Sequence, residues 1–146
     1  MDKVIEVVVE IALGAHTRAE LAARTHLRGR NARYYGNAAA WLGLARRIRG
    51  GFLPTSEGLR FAAGTPDERT RWIGYKLWNR PVFVDGLVHW TWEEERPDVG
   101  LAREWLRAYV DLANTTVDRR AQTAVAWIDW LLDRPVWTDA PAARAG

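Results

Sequence analysis

The chain has 146 residues, 48% of them hydrophobic, with nine Trp and no Cys, which allows one domain or two small ones and excludes a disulfide framework or thiolate chemistry. Its net charge of +3 is unevenly spread: residues 1–60 carry ten Lys and Arg against five Asp and Glu, the remainder eleven against thirteen. The apolar run after Met1 is broken by Glu6 and Glu10, which argues against a secretory signal or membrane span and predicts a cytoplasmic protein.

Residues 2–13 place Val4, Ile5, Val8, Ile11 and Ala12 on one side at helical spacing, and Gly14 supplies a stop. Thr17 and Glu20 form a capping box that opens a short second helix to about Arg24. Thr25 to Arg28 is the expected turn, and a third helix is predicted over about 29–44. Ala45 to Ile48 and Phe52 to Thr55 flank Arg49, Gly50 and Gly51, the pattern of a tight hairpin. Another helical turn starts at Ser56. Three helices followed by a hairpin is the winged helix-turn-helix plan.

Thr65, Pro66 and Glu68 mark a second clear helix start, whose helix stops before Pro81 and reads as a connector. Residues 81–92 mix β-branched and aromatic side chains; a strand is allowed, but a helix is expected. Val99 to about Asp111 is predicted helical, Asn114 to Thr116 a turn and cap, and Thr116 to Leu132 the last long helix, ended by Pro135. The expected fold is mainly α: a winged helix-turn-helix (1–64), a connector (65–80), a second helix-turn-helix-like, Trp-rich module (81–138) and a frayed tail (139–146).

The tandem reading rests on a repeat. Residues 33–44 and 119–130 coincide at Arg33/Arg119, Ala38/Ala124, Ala40/Ala126 and Trp41/Trp127, with Leu42 answered by Ile128. On a helical wheel Tyr35, Ala38, Trp41, Leu42 and Ala45 gather on a predicted buried face, with Tyr34 at its margin. Opposite lie Gly29, Gly36, Ala40 and Gly43, bordered by Arg30, Arg33 and Asn37. Small residues edged by Arg and Asn suit a major groove, because Arg can pair with guanine and Asn with adenine in bidentate fashion. The competing reading packs the small strip against another helix and leaves the arginines solvated.

Residues 18–49 hold eight arginines and one acid, Glu20. Arg46, Arg47 and Arg49 at the hairpin are placed to reach phosphates or a minor groove, as are Thr17, Arg18 and Arg28 beside the second helix. In the second copy Arg119, Arg120, Gln122 and Thr123 could touch DNA, whereas Asp118 and Asp129 would repel it. Arg supplies 19 of the 21 basic residues of the whole chain, so Arg enrichment alone does not mark a site.

Residues 31–44, then the hairpin and Thr55 to Gly58, resemble the winged-helix DNA-binding regions found beside restriction-endonuclease and related defence modules. Those regions read R-x-x-Y-Y-x-N-A-x-x-x-L-G-L, then a wing and L-T-x-x-G. Residues 115–130 are similar to the T-x-x-R-R-x-x-T-V-x-x-W-L-x-W segment that follows. The resemblance covers about residues 3–132 and implies double-stranded DNA binding. Trp41 and Pro54 depart from the pattern, and Pro in the second strand fits an edge.

No catalytic constellation stands out, so a non-enzymatic protein without metal or cofactor is expected. His16, His26 and His89 lack metal-ligand spacing, and Asp85 with Glu93, Glu94 and Glu95 lacks an acid-x-Lys partner. Eight of the Trp, including Trp137, lie beyond residue 70. Trp127 and Trp130, at i, i+3 spacing, are expected in a core, the alternative for the Trp-rich half being an aromatic pocket for a modified base or effector. A protein–protein assembly module, as homodimer or with another partner, is the remaining alternative.

Overall fold

The computed structural model describes residues 1–138; the expected tail lies outside them. The chain divides into two units, Met1–Arg69 and Thr70–Gly146. The division falls inside the helix expected as a connector, so that helix contributes to both units. The fold is mainly helical with one two-stranded antiparallel sheet.

The first unit runs α1 (Asp2–Ala12), α2 (Arg18–Arg24), α3 (Gly29–Trp41), β1 (Ala45–Ile48), β2 (Gly51–Pro54) and α4 (Ser56–Ala63), an order consistent with the winged-helix plan. Rich in β-branched residues, α1 is an indifferent helix former and depends on packing. It buries Val4, Val7, Val8 and Ile11 against α3 and α4, with Ile5 only half-buried. Each such side chain contributes roughly 1.5–3 kcal/mol. Gly14, at φ +96°, ends the helix as expected.

The capping box forms. Glu20 N–H donates to Thr17 Oγ1 (3.2 Å), while Glu20 Oε2 accepts from the N–H groups of Thr17 (2.8 Å) and His16 (3.0 Å). Leu21 anchors α2 in the core, and Thr25 Oγ1, also buried, donates back to Leu21 O. The turn into α3 passes through His26 at φ +53°, closed by Leu27 N–H donating to Ala22 O (3.0 Å). A side chain in this left-handed conformation is strained. His26→Gly is therefore expected to stabilise the unit by up to about 1 kcal/mol. A thermal melt checks this, and a lowered melting temperature counts against the turn geometry.

The hairpin pairs Ala45 with Pro54, Arg46 with Leu53, Arg47 with Phe52 and Ile48 with Gly51, turning at Arg49 and Gly50. It does not stand alone. Phe52 N–H donates to His16 O (2.8 Å) and Arg18 N–H to Gly50 O (3.3 Å), so β2 is tied to the segment that opens α2. Thr55 caps α4 by accepting from Gly58 N–H (3.0 Å) and donates its hydroxyl to Gly43 O (2.7 Å), fastening α4 to the end of α3.

The second unit takes over within α5 (Pro66–Trp78) and continues through α6 (Pro81–Glu93), α7 (Val99–Tyr109), α8 (Asn114–Leu132) and α9 (Pro135–Thr138). The ambiguous 81–92 stretch is helical, opened by Pro81. Its core joins Ala102 and Leu106 of α7 to Val117 and Ala121 of α8, and Phe83 stacks on Trp127 at 6.0 Å. Trp127 and Trp130 are both buried, as the core reading requires. Two expectations fail locally. Asn114 to Thr116 form the first turn of α8 instead of a separate cap, and Pro135 opens α9 after α8 has already ended at Leu132. Pro at a first helical position has no amide to lose. Among the described residues no helix is long and apolar enough to cross a membrane.

Candidate nucleic-acid interface

The face that α3 turns outward is not the one its wheel suggested. Ala32, Gly36 and Ala39 are buried, followed by Leu42 just beyond the helix, while Trp41 is 43% and Tyr34 51% exposed. The helix is turned by about 100°, or one residue, from the expected phase. The reason is steric. A Cβ on Gly36 would lie 2.3 Å from the Phe52 ring, so the aromatic ring of β2 occupies the space a larger residue would need. The small strip is thus not a free smooth face: Gly36 packs inward, Ala40 and Gly43 are half-buried, and Gly29 is exposed.

What α3 presents instead is Arg30, Tyr34, Asn37 and Trp41 at i, i+4, i+7 and i+11, with Arg33 at the margin. Arg30 and Arg33 are exposed and Asn37 is half-buried, so the three predicted readers do share an outward face. Trp41, expected on the buried face, and Tyr34, expected at its margin, both turn outward instead. The signal was the i, i+4, i+7 run of Ala32, Gly36 and Ala39, the spacing of a tightly packed seam.

Between α2 and α3 the surface forms an open cleft of about 350 Å³ lined by Arg18, Ala19, Ala22, Gly29, Arg30 and Arg33. Three of its six lining residues are arginines and the other three are alanine or glycine. On the hairpin Arg46, Arg47, Ile48 and Arg49 are exposed. Strand alternation puts Arg46 and Arg47 on opposite faces, with Arg47 on the side of its buried partner Phe52. The two arginines therefore leave the hairpin from opposite faces, and only the length of their side chains can bring both guanidinium groups to one side.

The charge balance separates the two units. Arg18, Arg28, Arg30, Arg33, Arg46, Arg47 and Arg49 make no ion pair or side-chain hydrogen bond among the described residues. Only Arg24 of the basic segment is engaged, with Glu10 at 3.6 Å and Leu13 O at 3.2 Å. In the second unit Arg103 holds Asp118 (2.7 Å), and Arg96 holds Asp129 (3.3 Å) and Asp133 (2.6 Å). Asp118 thus has an arginine of its own, whereas Asp129 shares Arg96 with Asp133, which leaves that group one negative charge in excess.

Thr17 is exposed, but its hydroxyl oxygen serves as the α2 cap. Hydrogen bonds from the Thr17 backbone and side chain hold the Glu20 carboxyl below its ordinary range, joined by those from His16 and by the nearby Arg24 charge. A folded-state value below the unfolded one means stability that is present above the unfolded value and lost as pH falls through the folded one. Glu20→Gln is accordingly expected to flatten the acid limb of a stability-against-pH curve below about pH 4.5. Superimposable acid limbs for the two proteins would show that the box contributes nothing.

On α8, Arg119, Arg120 and Gln122 are exposed and Thr123 is half-buried. Arg119 Nε donates to Thr115 O (3.2 Å) and Thr123 Oγ1 to Arg119 O (3.0 Å), so both lean on their own helix. The repeat does not carry over to packing. Trp127 is 8% exposed where Trp41 is 43%, and α8 buries Ala121, Ala124, Trp127 and Ile128, the phase predicted for helix three.

Among the described residues no group of His, Cys, Asp and Glu is arranged to hold a metal. Asp85 instead accepts from Tyr109 OH at 2.8 Å, and Glu93 to Glu95 are solvated. Gly50 and Gly51 belong to the hairpin, not to a phosphate loop. No curated protein and no solved structure matches the chain. Residues 3–135, spanning both units, match a family described as a domain of unknown function, DUF7226, and the chain belongs to that family.

Proposed function

We propose that this chain is a non-enzymatic, double-stranded DNA-binding protein acting in the cytoplasm. In this reading α2, the turn at His26 and α3 are a helix-turn-helix, α3 enters the major groove, and the β1–β2 hairpin is a wing on the sugar-phosphate backbone. Arg30, Arg33 and Asn37 meet base edges, while Arg18, Arg28, Arg46, Arg47 and Arg49 hold phosphates. The observation that carries it is the set of seven arginines between Arg18 and Arg49 without a carboxylate partner among the described residues, two of them on α3, which itself contains no acid. Such a cluster repels itself, and a polyanion relieves the repulsion while releasing counterions.

The second unit is read as a helix-turn-helix-like companion in tandem, with α8 in the place of α3. Arg119, Arg120, Gln122 and Thr123 add contacts to an adjoining stretch of duplex, eased by the pairing of Asp118 and Asp129 with arginines. The resemblance to winged-helix regions beside restriction endonucleases supports a place in a restriction, defence or regulatory system. A second reading, assembly with a protein partner or a second copy, is favoured by Trp92 (75% exposed) and Tyr109 (51%) in the second unit.

Arg47→Ala is expected to weaken binding to every duplex sequence alike and to lower the salt slope by about one. Arg24→Ala, which removes an arginine already engaged, should leave that slope unchanged. Fluorescence anisotropy on random-sequence duplex reads both. Equal effects from the two substitutions would contradict the assignment of the wing.

A further inference from the structure

We infer that the cleft between α2 and α3 binds a phosphomonoester, the dianionic group carried by a free mononucleotide and by the phosphorylated end of a cleaved DNA strand. The inference goes beyond the duplex-binding reading, since an uninterrupted duplex contains no such group. Its ground is what lines the cleft. Arg18, Ala19 and Ala22 come from α2 and Gly29, Arg30 and Arg33 from α3, so each helix contributes positions i, i+1 and i+4. The three arginines are exposed and make no ion pair or side-chain hydrogen bond among the described residues.

Charge selects the monoester. A phosphodiester inside a chain has one negative charge and two unesterified oxygens, which a single bidentate guanidinium occupies. A monoester carries about −1.5 to −2 at neutral pH and three such oxygens, enough to engage several arginines at once. No carboxylate of the segment competes for them. Glu20, the one acid between residues 18 and 49, is engaged in the capping box by the amides of His16 and Thr17. α3 contains no acid, and Arg28 as its N-cap puts no side-chain hydrogen bond on its first amides. The partial positive charge of that helix end adds to the charge of the arginines.

Size fits the remainder of such a ligand. Clefts that take whole small molecules measure roughly 300–1,000 Å³. This one holds about 350 Å³, which seats a sugar or base beside the phosphate. Its other lining residues, Ala19, Ala22 and Gly29, are small, and nothing lies within 4 Å of where a Gly29 Cβ would stand. Arg30 and Arg33, read above as base contacts on a duplex, line this cleft as well. A free mononucleotide held here therefore competes with intact duplex for the same two side chains, whereas a terminal phosphate draws the chain to a DNA end.

The test titrates the full chain by calorimetry with adenosine monophosphate, its methyl phosphodiester and adenosine. In parallel, anisotropy compares a labelled hairpin duplex ending in a phosphate with the same hairpin ending in hydroxyls. The monoester is expected to bind about 10-fold or more tightly than its counterpart without the dianion, in at least one of the two formats. A preference confined to the hairpins assigns the site to DNA ends, and one shown by the mononucleotide assigns it to a soluble ligand. Arg18→Gln, Arg30→Gln and Arg33→Gln should each reduce the preference about threefold or more. Ala19→Glu, which sets a carboxylate in the cleft, should abolish it. Arg60→Gln, at an exposed arginine of α4 that does not line the cleft, should leave it unchanged. Thermal melts confirm that each variant folds. No monoester preference in either format overturns the inference, as does an equal loss from Arg60→Gln or no loss from Ala19→Glu. Binding of both hairpins alike, with no mononucleotide bound, overturns it while leaving duplex binding intact. Mononucleotide binding with neither hairpin bound removes the DNA reading and keeps this site.

Discussion

Gly51→Ala is expected to destabilise the first unit by about 3 kcal/mol or more and to remove DNA binding with it. A Cβ at this position would stand 1.7 Å from the His16 carbonyl oxygen, 2.8 Å from its carbon and 3.0 Å from Thr17 Cα. All three are backbone atoms, so no side chain can swing aside. Relief requires β2 to part from the segment before α2, which breaks the bond from Phe52 N–H to His16 O. Phe52 would then lose its seat over Gly36, and α3 its packing against the wing. Gly29→Ala is the control, since nothing lies within 4 Å of its Cβ and a near-neutral effect is expected. Chemical denaturation of both variants checks the pair. A Gly51→Ala protein as stable as Gly29→Ala would mean that the wing is not tied to α2.

Arg30→Ala and Arg33→Ala are each expected to cost about 1–3 kcal/mol on the preferred sequence, roughly a 5- to 150-fold loss, and much less on unrelated duplex. The two arginines leave α3 on the outward face and border the same cleft. A bidentate guanidinium–guanine pair discriminates between bases, whereas a phosphate contact does not. Selection from a random pool, followed by titration of the winner, separates these roles. Uniform weakening across all sequences would reassign both residues to the backbone, and no weakening would place them outside the interface.

The sequence reading worked where a local rule decides. Thr17 with Glu20, Gly14, the Arg49–Gly50 turn and Thr65 with Glu68 each impose their geometry through nearby backbone, and each forms as expected. The T-x-x-G pattern also has a physical cause: Thr55 both caps α4 and reaches Gly43 O, and a Cβ on Gly58 would meet Leu44 O at 1.9 Å. That pattern and the preceding L-G-L are two sides of one contact.

The phase of α3 was not legible, because it is set by a partner distant along the chain. Ala, Gly and Tyr have ambiguous burial preferences, and only the Phe52 ring in the hollow over Gly36 decides which side turns inward. The wheel therefore placed Arg30, Arg33 and Asn37 outward but with the wrong neighbours, and hid the exposure of Tyr34 and Trp41. Pairing was equally illegible. Asp118 and Asp129 looked repulsive until Arg103 and Arg96, 15 and 33 residues away, were seen to hold them.

The most direct test of DNA binding is the salt dependence of affinity for random-sequence duplex, measured with the full chain by fluorescence anisotropy. If half or more of the seven unpartnered arginines each neutralise one phosphate, the log–log slope should be about −3 to −6. It should shrink by about one when Arg47 is replaced by Ala. No binding at low salt, or a slope near zero unmoved by the substitution, would contradict the account and turn attention to a protein partner.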